Sequence, residues 1–185
     1  MQFFRYISLA GIMIFALSCN AQTSESKVET INWVSFEEAV AMAEKEPKNI
    51  FIDFYTSWCG WCKVMDKNTF ADPVIAALMN KYFYAVKFNA EGKDPVEFKG
   101  KTYNFIAQGN RGYHELAAGI MQGQMSYPTF VFLTPTMEII TPISGFVKPE
   151  EFEPIVSYMG QNLYKPEKGV EWETYRNSFV GKVGK

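Results

Sequence analysis

Apolar and polar positions alternate in ways that predict a compact series of elements after residue 30. Phe36, Ala39, Val40 and Ala43 recur at helical spacing, and Pro47 ends that stretch after Glu46. Ser35 and Glu38 stand in the spacing of a capping box at its start. Asn49 to Tyr55 (NIFIDFY) carries large apolar groups on both alternating faces, which predicts a central strand covered on both sides. Thr56-Ser57-Trp58 then turns the chain, and a helix begins near Cys59. Asp72-Pro73 opens another helix, with aspartate as cap and proline at the first helical position. Phe83 to Phe88 (FYAVKF) is the next strand. Tyr113 to Met121 has helical spacing. Thr129–Leu133 and Glu138–Ile143 form an antiparallel strand pair, and Pro149 opens a helix reaching about Met159.

The alternation of helix and strand over 35–88 predicts an α/β domain whose first strands run parallel. The stretch 90–126 is long for a connection and reads as an insertion before the Pro128 strand. Within it, Val96–Phe98 and Thr102–Phe105 are expected to form a small hairpin turning at Gly100. Residues 161–185 form a carboxy-terminal extension in which Trp172, Tyr175 and Phe179 repeat at three and four, the spacing of a short docked helix.

The amino-terminal segment has a different character. Arg5 and the amino terminus form a positive patch, and Ile7 to Leu17 is an apolar run of signal-peptide length. Two processing routes fit it. Cleavage after Ala21 makes residues 1–21 a signal peptide. Alternatively, Ala16-Leu17-Ser18-Cys19 resembles a bacterial lipobox, with a signal over 1–18 and lipidation at Cys19. Residues 22–30 are a polar tether. Both routes place the domain outside the cytoplasm, in a bacterial periplasm, soluble or lipid-anchored.

Composition fits this organisation. With 48% hydrophobic residues over 185, one domain can bury a core. A net charge of −2 excludes the basic footprint of a nucleic-acid binder. Three cysteines and one histidine are too few for a disulfide scaffold or a four-ligand zinc site, so no metal centre is expected. His114-Glu115 starts like a zinc-protease motif but has no second histidine, and is expected to be a surface helical pair. With Cys19 discarded or acylated, Cys59 and Cys62 are the free sulfurs.

Those two sulfurs carry the chemistry. Cysteines three apart at a helix start lie one turn apart, with Cα atoms roughly 5–6 Å apart, within disulfide reach. At the amino end of a helix, unpaired amides and the macrodipole favour a thiolate by up to about 2 kcal/mol. Cys59 is therefore expected to be the exposed, attacking sulfur and Cys62 the shielded, resolving one. A static disulfide closing two intervening residues would stabilise the chain little. Asp53 interrupts an apolar strand six residues before Cys59. Burial would raise its pKa and make it a proton acceptor for Cys62, or it is a hydrogen-bonded structural residue. Lys87, in the next strand, either reaches Asp53 or faces water. Trp58, Trp61, Tyr55 and Tyr127 are expected to form an apolar apron around the sulfurs.

The runs DFYTSWCGWCK (53–63), VKFN (86–89) and SYPTFVFL (126–133) together resemble the thioredoxin superfamily. INWVSFEEA and the segment after the cysteines are similar to its periplasmic branch, in particular the carboxy-terminal domain of the transmembrane disulfide-interchange reductase. The resemblance spans residues 31–160. It implies a thioredoxin-like fold with a central mixed sheet flanked by helices, a buried lysine at Lys87, and a cis proline at Pro128 beside which substrate backbone pairs with Tyr127. It also implies thiol–disulfide exchange on extracytoplasmic proteins, no bound cofactor, and electrons from a membrane-embedded dithiol donor. Gly60-Trp61 between the cysteines departs from the Gly-Pro of thioredoxin and from the Pro-His of the strong oxidase. The absent histidine argues for the reducing half of a range of about −270 to −120 mV. A different class of function, a thioredoxin-like module that holds polypeptides or delivers Cu(I), needs the same cysteines without turnover.

Overall fold

The computed structural model describes residues 29–185. The expected signal segment, Cys19 and most of the polar tether lie outside the described residues. Strand β1 (Trp33–Val34) leads into helix α1 (Phe36–Lys45), where Ser35 and Glu38 complete both halves of the capping box. Strand β2 (Asn49–Tyr55), helices α2 (Gly60–Asn68) and α3 (Pro73–Tyr82), and strand β3 (Phe83–Asn89) follow. Asp72 caps α3 by accepting from Val74 and Ile75 N–H.

Two hairpins come next, β4 (Val96–Phe98) with β5 (Lys101–Tyr103), and β6 (Phe105–Gln108) with β7 (Arg111–His114). Helix α4 (Glu115–Ile120), strands β8 (Thr129–Leu133) and β9 (Ile139–Ser144), and helices α5 (Pro149–Gly160) and α6 (Trp172–Ser178) complete the chain.

The main sheet has the order β1-β3-β2-β8-β9. Its first three strands are parallel, and β8 and β9 join antiparallel. The sheet is therefore mixed, as expected. Strand β2 lies at its centre, and both its faces are buried. The period of two sends Ile50, Ile52 and Phe54 to the face covered by α1 and α4, where they meet Phe36, Val131 and Leu116. Phe51 points the other way, into a cluster with Phe70, Phe83, Phe130, Phe132 and Phe152. Asp53, two residues on, shares that second face.

The inserted stretch differs from the sequence expectation in two places. The hairpin at Gly100 forms, but its second arm is Lys101–Tyr103 and Phe105 starts a new strand. Residues 111–114 are a strand, and α4 begins only at Glu115. Helical spacing over 113–121 misled because Tyr113 is a strand residue paired with Ile106. The β6–β7 turn is Gly109-Asn110, with Gly109 at φ +57°, the left-handed backbone that two-residue hairpins need. Gly112 is required by space: a Cβ there would overlap the Phe105 ring and the Ile106 carbonyl.

His114 is not a surface residue. It is buried, its Nδ1 accepts from Leu116 N–H to cap α4, and its Nε2 lies 3.1 Å from the Asp94 carbonyl. The ring meets Phe88 edge-on at 5.1 Å.

The carboxy-terminal extension docks on α5. Trp172 and Tyr175 pack on Tyr158 at 5.2 and 5.3 Å. Beyond α6, the buried carboxylate of Glu153 accepts the backbone N–H groups of Lys182 (2.8 and 2.9 Å) and Val183 (3.0 Å). Glu153→Ala removes the acceptor from both amides, so it should lower stability by about 2 kcal/mol in urea denaturation and speed carboxypeptidase trimming of the tail.

Candidate active site

The site forms where β2 ends and α2 begins, at the carboxyl end of the parallel strands, where α/β folds place their chemistry. Cys59 is the residue that caps α2. Its Sγ accepts the backbone N–H of Cys62 at 3.1 Å, so a helix-end amide points at this sulfur. The two cysteines are joined as a disulfide with Cα atoms 5.3 Å apart, within the separation expected from one helical turn. A helix amino end, with its unpaired amides and macrodipole, is the kind of position that favours a thiolate over a thiol.

The exposure expected for Cys59 is not found in this oxidised form. Cys59 is 4% exposed and Cys62 is 3%. The asymmetry between them is one of hydrogen bonding rather than access. The accessible groups are instead the neighbouring indoles, Trp58 at 57% and Trp61 at 61%. Trp61 lies beside Phe146 at 5.5 Å. Trp58 meets Tyr127 edge to face at 5.9 Å, which joins the cysteine turn to the loop before β8. The Tyr127–Pro128 peptide is cis. Burial, with Glu91 adding to it, pushes the Tyr127 hydroxyl up to about 12, so it stays neutral. Gly60 is the first residue of α2 and has open space around its Cα.

Asp53 is buried, and its Oδ2 lies 3.3 Å from Lys87 Nζ. Register explains the pairing: Asp53 stands directly beside Lys87 across the parallel β2–β3 ladder, on the same face. Asp53 Oδ1 has no hydrogen-bond partner. Burial raises its carboxyl from 3.8 to about 6, against the pull of Lys87 and with a smaller push from Asp66. A carboxyl in that range exchanges a proton near neutral pH, the requirement for a base that serves a resolving thiol.

Lys87 does not face water as an edge lysine would. Its ammonium lies 5.3–5.7 Å from the ring centroids of Trp33, Tyr55 and Phe70, and it pairs with Asp66 of α2 as well as with Asp53. Tyr55 thus belongs to the box around Lys87.

Asp66 was not singled out in the sequence, although its place four residues after Cys62 puts it on the same face of α2. Glu91 and Arg111 were missed for a different reason. Glu91 accepts the Trp58 indole N–H at 2.9 Å, and the Arg111 guanidinium lies 5.7 Å from the Trp58 ring. These contacts join positions 33 and 53 residues from Trp58, and no local pattern announces them. Among the described residues, no group of three or more His, Cys, Asp or Glu side chains could hold a metal ion.

A dithiol that closes across the first turn of a helix, on this sheet order, defines the class: a thioredoxin-like domain carrying the CXXC pair of thiol–disulfide oxidoreductases. Comparison with known proteins supplies the family. The chain belongs to the Thioredox_DsbH family, described as proteins of unknown function (DUF255), whose model matches residues 20–176. It is 38% identical over 66 residues to the thiol:disulfide interchange protein DsbD of Vibrio vulnificus (strain YJ016), a match covering 35% of this chain and 11% of that protein. The matches span 7 to 19% of the length of the curated relatives.

Two solved structures share the fold. A DsbH oxidoreductase superposes with a TM-score of 0.55 at 18% identity, over 78% of this chain and 94% of that one. A thioredoxin from Thermus thermophilus superposes with a TM-score of 0.56 at 20% identity, over 77% and 98%.

The raised carboxyl has a definite effect on stability. The folded chain holds the Asp53 proton up to about pH 6 and the unfolded chain only to about 3.8, so stability falls as pH rises through that window. The difference is worth about 3 kcal/mol. Asp53→Asn should therefore raise the urea midpoint at pH 7 and converge with the wild type below pH 4, which paired denaturation curves will check.

Proposed function

We propose that this protein is an exported thiol–disulfide oxidoreductase that reduces or exchanges disulfides in extracytoplasmic proteins. The single observation that carries the reading is the Cys59 sulfur capping α2 within bonding reach of Cys62. In the reduced state the Cys59 thiolate attacks one sulfur of a substrate disulfide. A mixed disulfide forms, and the other substrate sulfur leaves as a thiolate that takes a proton. Cys62 then gives its proton to Asp53 and attacks Cys59 Sγ. The second substrate sulfur departs, and the Cys59–Cys62 disulfide is restored. Two electrons have passed to the substrate, and a membrane-embedded dithiol donor returns them.

Export is supported by the amino-terminal apolar run, with the mature domain soluble or anchored through Cys19 in a bacterial periplasm. The reducing direction is supported by Gly60-Trp61, which places no histidine beside the sulfurs. The Tyr127 backbone beside Pro128 is assigned as the short strand-like contact for the substrate chain on the thioredoxin-like resemblance. The similarity to DsbD supports a membrane partner as the electron source.

Insulin reduction with dithiothreitol tests the reading. Wild type should accelerate precipitation, Cys59→Ser should abolish it, and Cys62→Ser should accumulate mixed disulfides with substrate. A Cys59–Cys62 potential closer to about −270 mV than to −120 mV is expected by redox titration. Tight Cu(I) binding without insulin turnover would instead select the metal-delivery module.

A further inference from the structure

A groove of about 430 Å³ opens beside Trp58, between the loop after β3 and the β6–β7 hairpin. Its walls include Trp58, Glu91, Lys93, Phe105, Asn110 and Arg111. Trp58 is the residue before Cys59, and the hairpin belongs to the inserted stretch. The indole is held from three directions. Its N–H donates to Glu91 Oε2, the Arg111 guanidinium covers its ring, and Tyr127 meets its edge. One side chain therefore touches both the loop that ends at the cis Pro128 and the groove. Trp58 is the chain neighbour of Cys59 and a wall of the groove, so the groove lies beside the cysteine turn that a substrate cysteine would join.

The charge in the groove is unbalanced. Lys93 and Arg111 form no ion pair among the described residues. The one carboxylate, Glu91, accepts the Trp58 N–H and keeps its negative charge, so the three charged side chains leave an excess of one positive charge. Lys93 also lies over the Phe105 ring at 5.8 Å, so both cations are backed by an aromatic face. A surplus of positive charge at a rim favours an anionic side chain and mainly affects encounter and selection.

We propose that this groove is a substrate subsite that selects polypeptides with an acidic residue close to the disulfide-bonded cysteine. The proposal rests on the thiol–disulfide exchange reading and names the substrate class that the site prefers. Arg111 and Lys93 are its specificity residues. Glu91 is a positioning residue that acts through Trp58.

Two peptides of equal length test it, each carrying its cysteine as a disulfide to 2-thiopyridine, one flanked by glutamates and one by lysines. Each is mixed with fully reduced protein, and thiopyridone release is followed by stopped flow. At low salt the acidic peptide should react about five- to tenfold faster with the wild type. In the Lys93→Glu, Arg111→Glu double variant that ratio should fall to about 1 or below. The ratio is internal, so a change in Cys59 reactivity through Trp58 cancels from it. A wild-type ratio near 1, or a variant that keeps the wild-type ratio, overturns the subsite.

A second readout separates the groove from the redox reading. Serine-for-cysteine versions of both peptides are titrated into isotope-labelled oxidised protein. The acidic one should shift the Trp58 indole and Arg111 signals, and the basic one should leave them in place. That shift, with no reduction of either thiopyridyl peptide or of hydroxyethyl disulfide, would keep the groove and remove the exchange reading. Reduction of both peptides at equal rates would do the reverse.

Discussion

The Asp53 carboxylate lies 3.3 Å from the Lys87 ammonium, on the sheet face that carries the phenylalanine cluster. A charge in such a place is tolerated only when a partner is supplied by rigid neighbours. Here the partner comes from the adjacent parallel strand, one register step that also aligns Phe51 with Ala85. The register of β2 against β3, set by the aromatic core, thus sets the electrostatics near the dithiol. A one-residue slip would move Asp53 to the opposite face and strand Lys87.

Helix α2 ties this pair, a buried Asp53 and a partly buried Lys87, to the surface. Its first turn holds the cysteines, and Asp66, two turns from Cys59, shares the Lys87 ammonium with Asp53. The aromatic box of Trp33, Tyr55 and Phe70 limits where the ammonium can go. The short edge strand β1 gains a role in this light. It contributes Trp33 to the box, so an element of two residues shapes the surroundings of the site.

The inserted hairpin does for the surface what the sheet does for the interior. Gly112 lets β7 close on Phe105, and the turn at Gly109 brings Arg111 to Trp58. Trp58 is consequently exposed yet held, with Glu91 on its N–H and Tyr127 at its edge. The buried His114 anchors the far end of the hairpin through the Asp94 carbonyl and the cap of α4. The polar composition of this stretch conceals an ordered support.

Local chemistry made much of the protein readable from its residues. The capping box at Ser35, the Asp72-Pro73 start, the apolar β2 run and the one-turn cysteine spacing all depend on neighbours within a few positions, where sterics and hydrogen-bond geometry leave few choices. The resemblance carried by the cysteine and proline motifs added the mixed sheet and the cis peptide at Pro128. What needed the folded chain were relations between distant segments. Strand β1 is too short to show a period, and the β6–β7 hairpin hides because Tyr113 and His114 also fit a helical stripe. The covered state of Cys59, the second carboxylate on Lys87 and the clamp on Trp58 arise where separate elements converge. Sequence spacing does not encode such distances; the packing of one sheet against its helices and hairpins decides them.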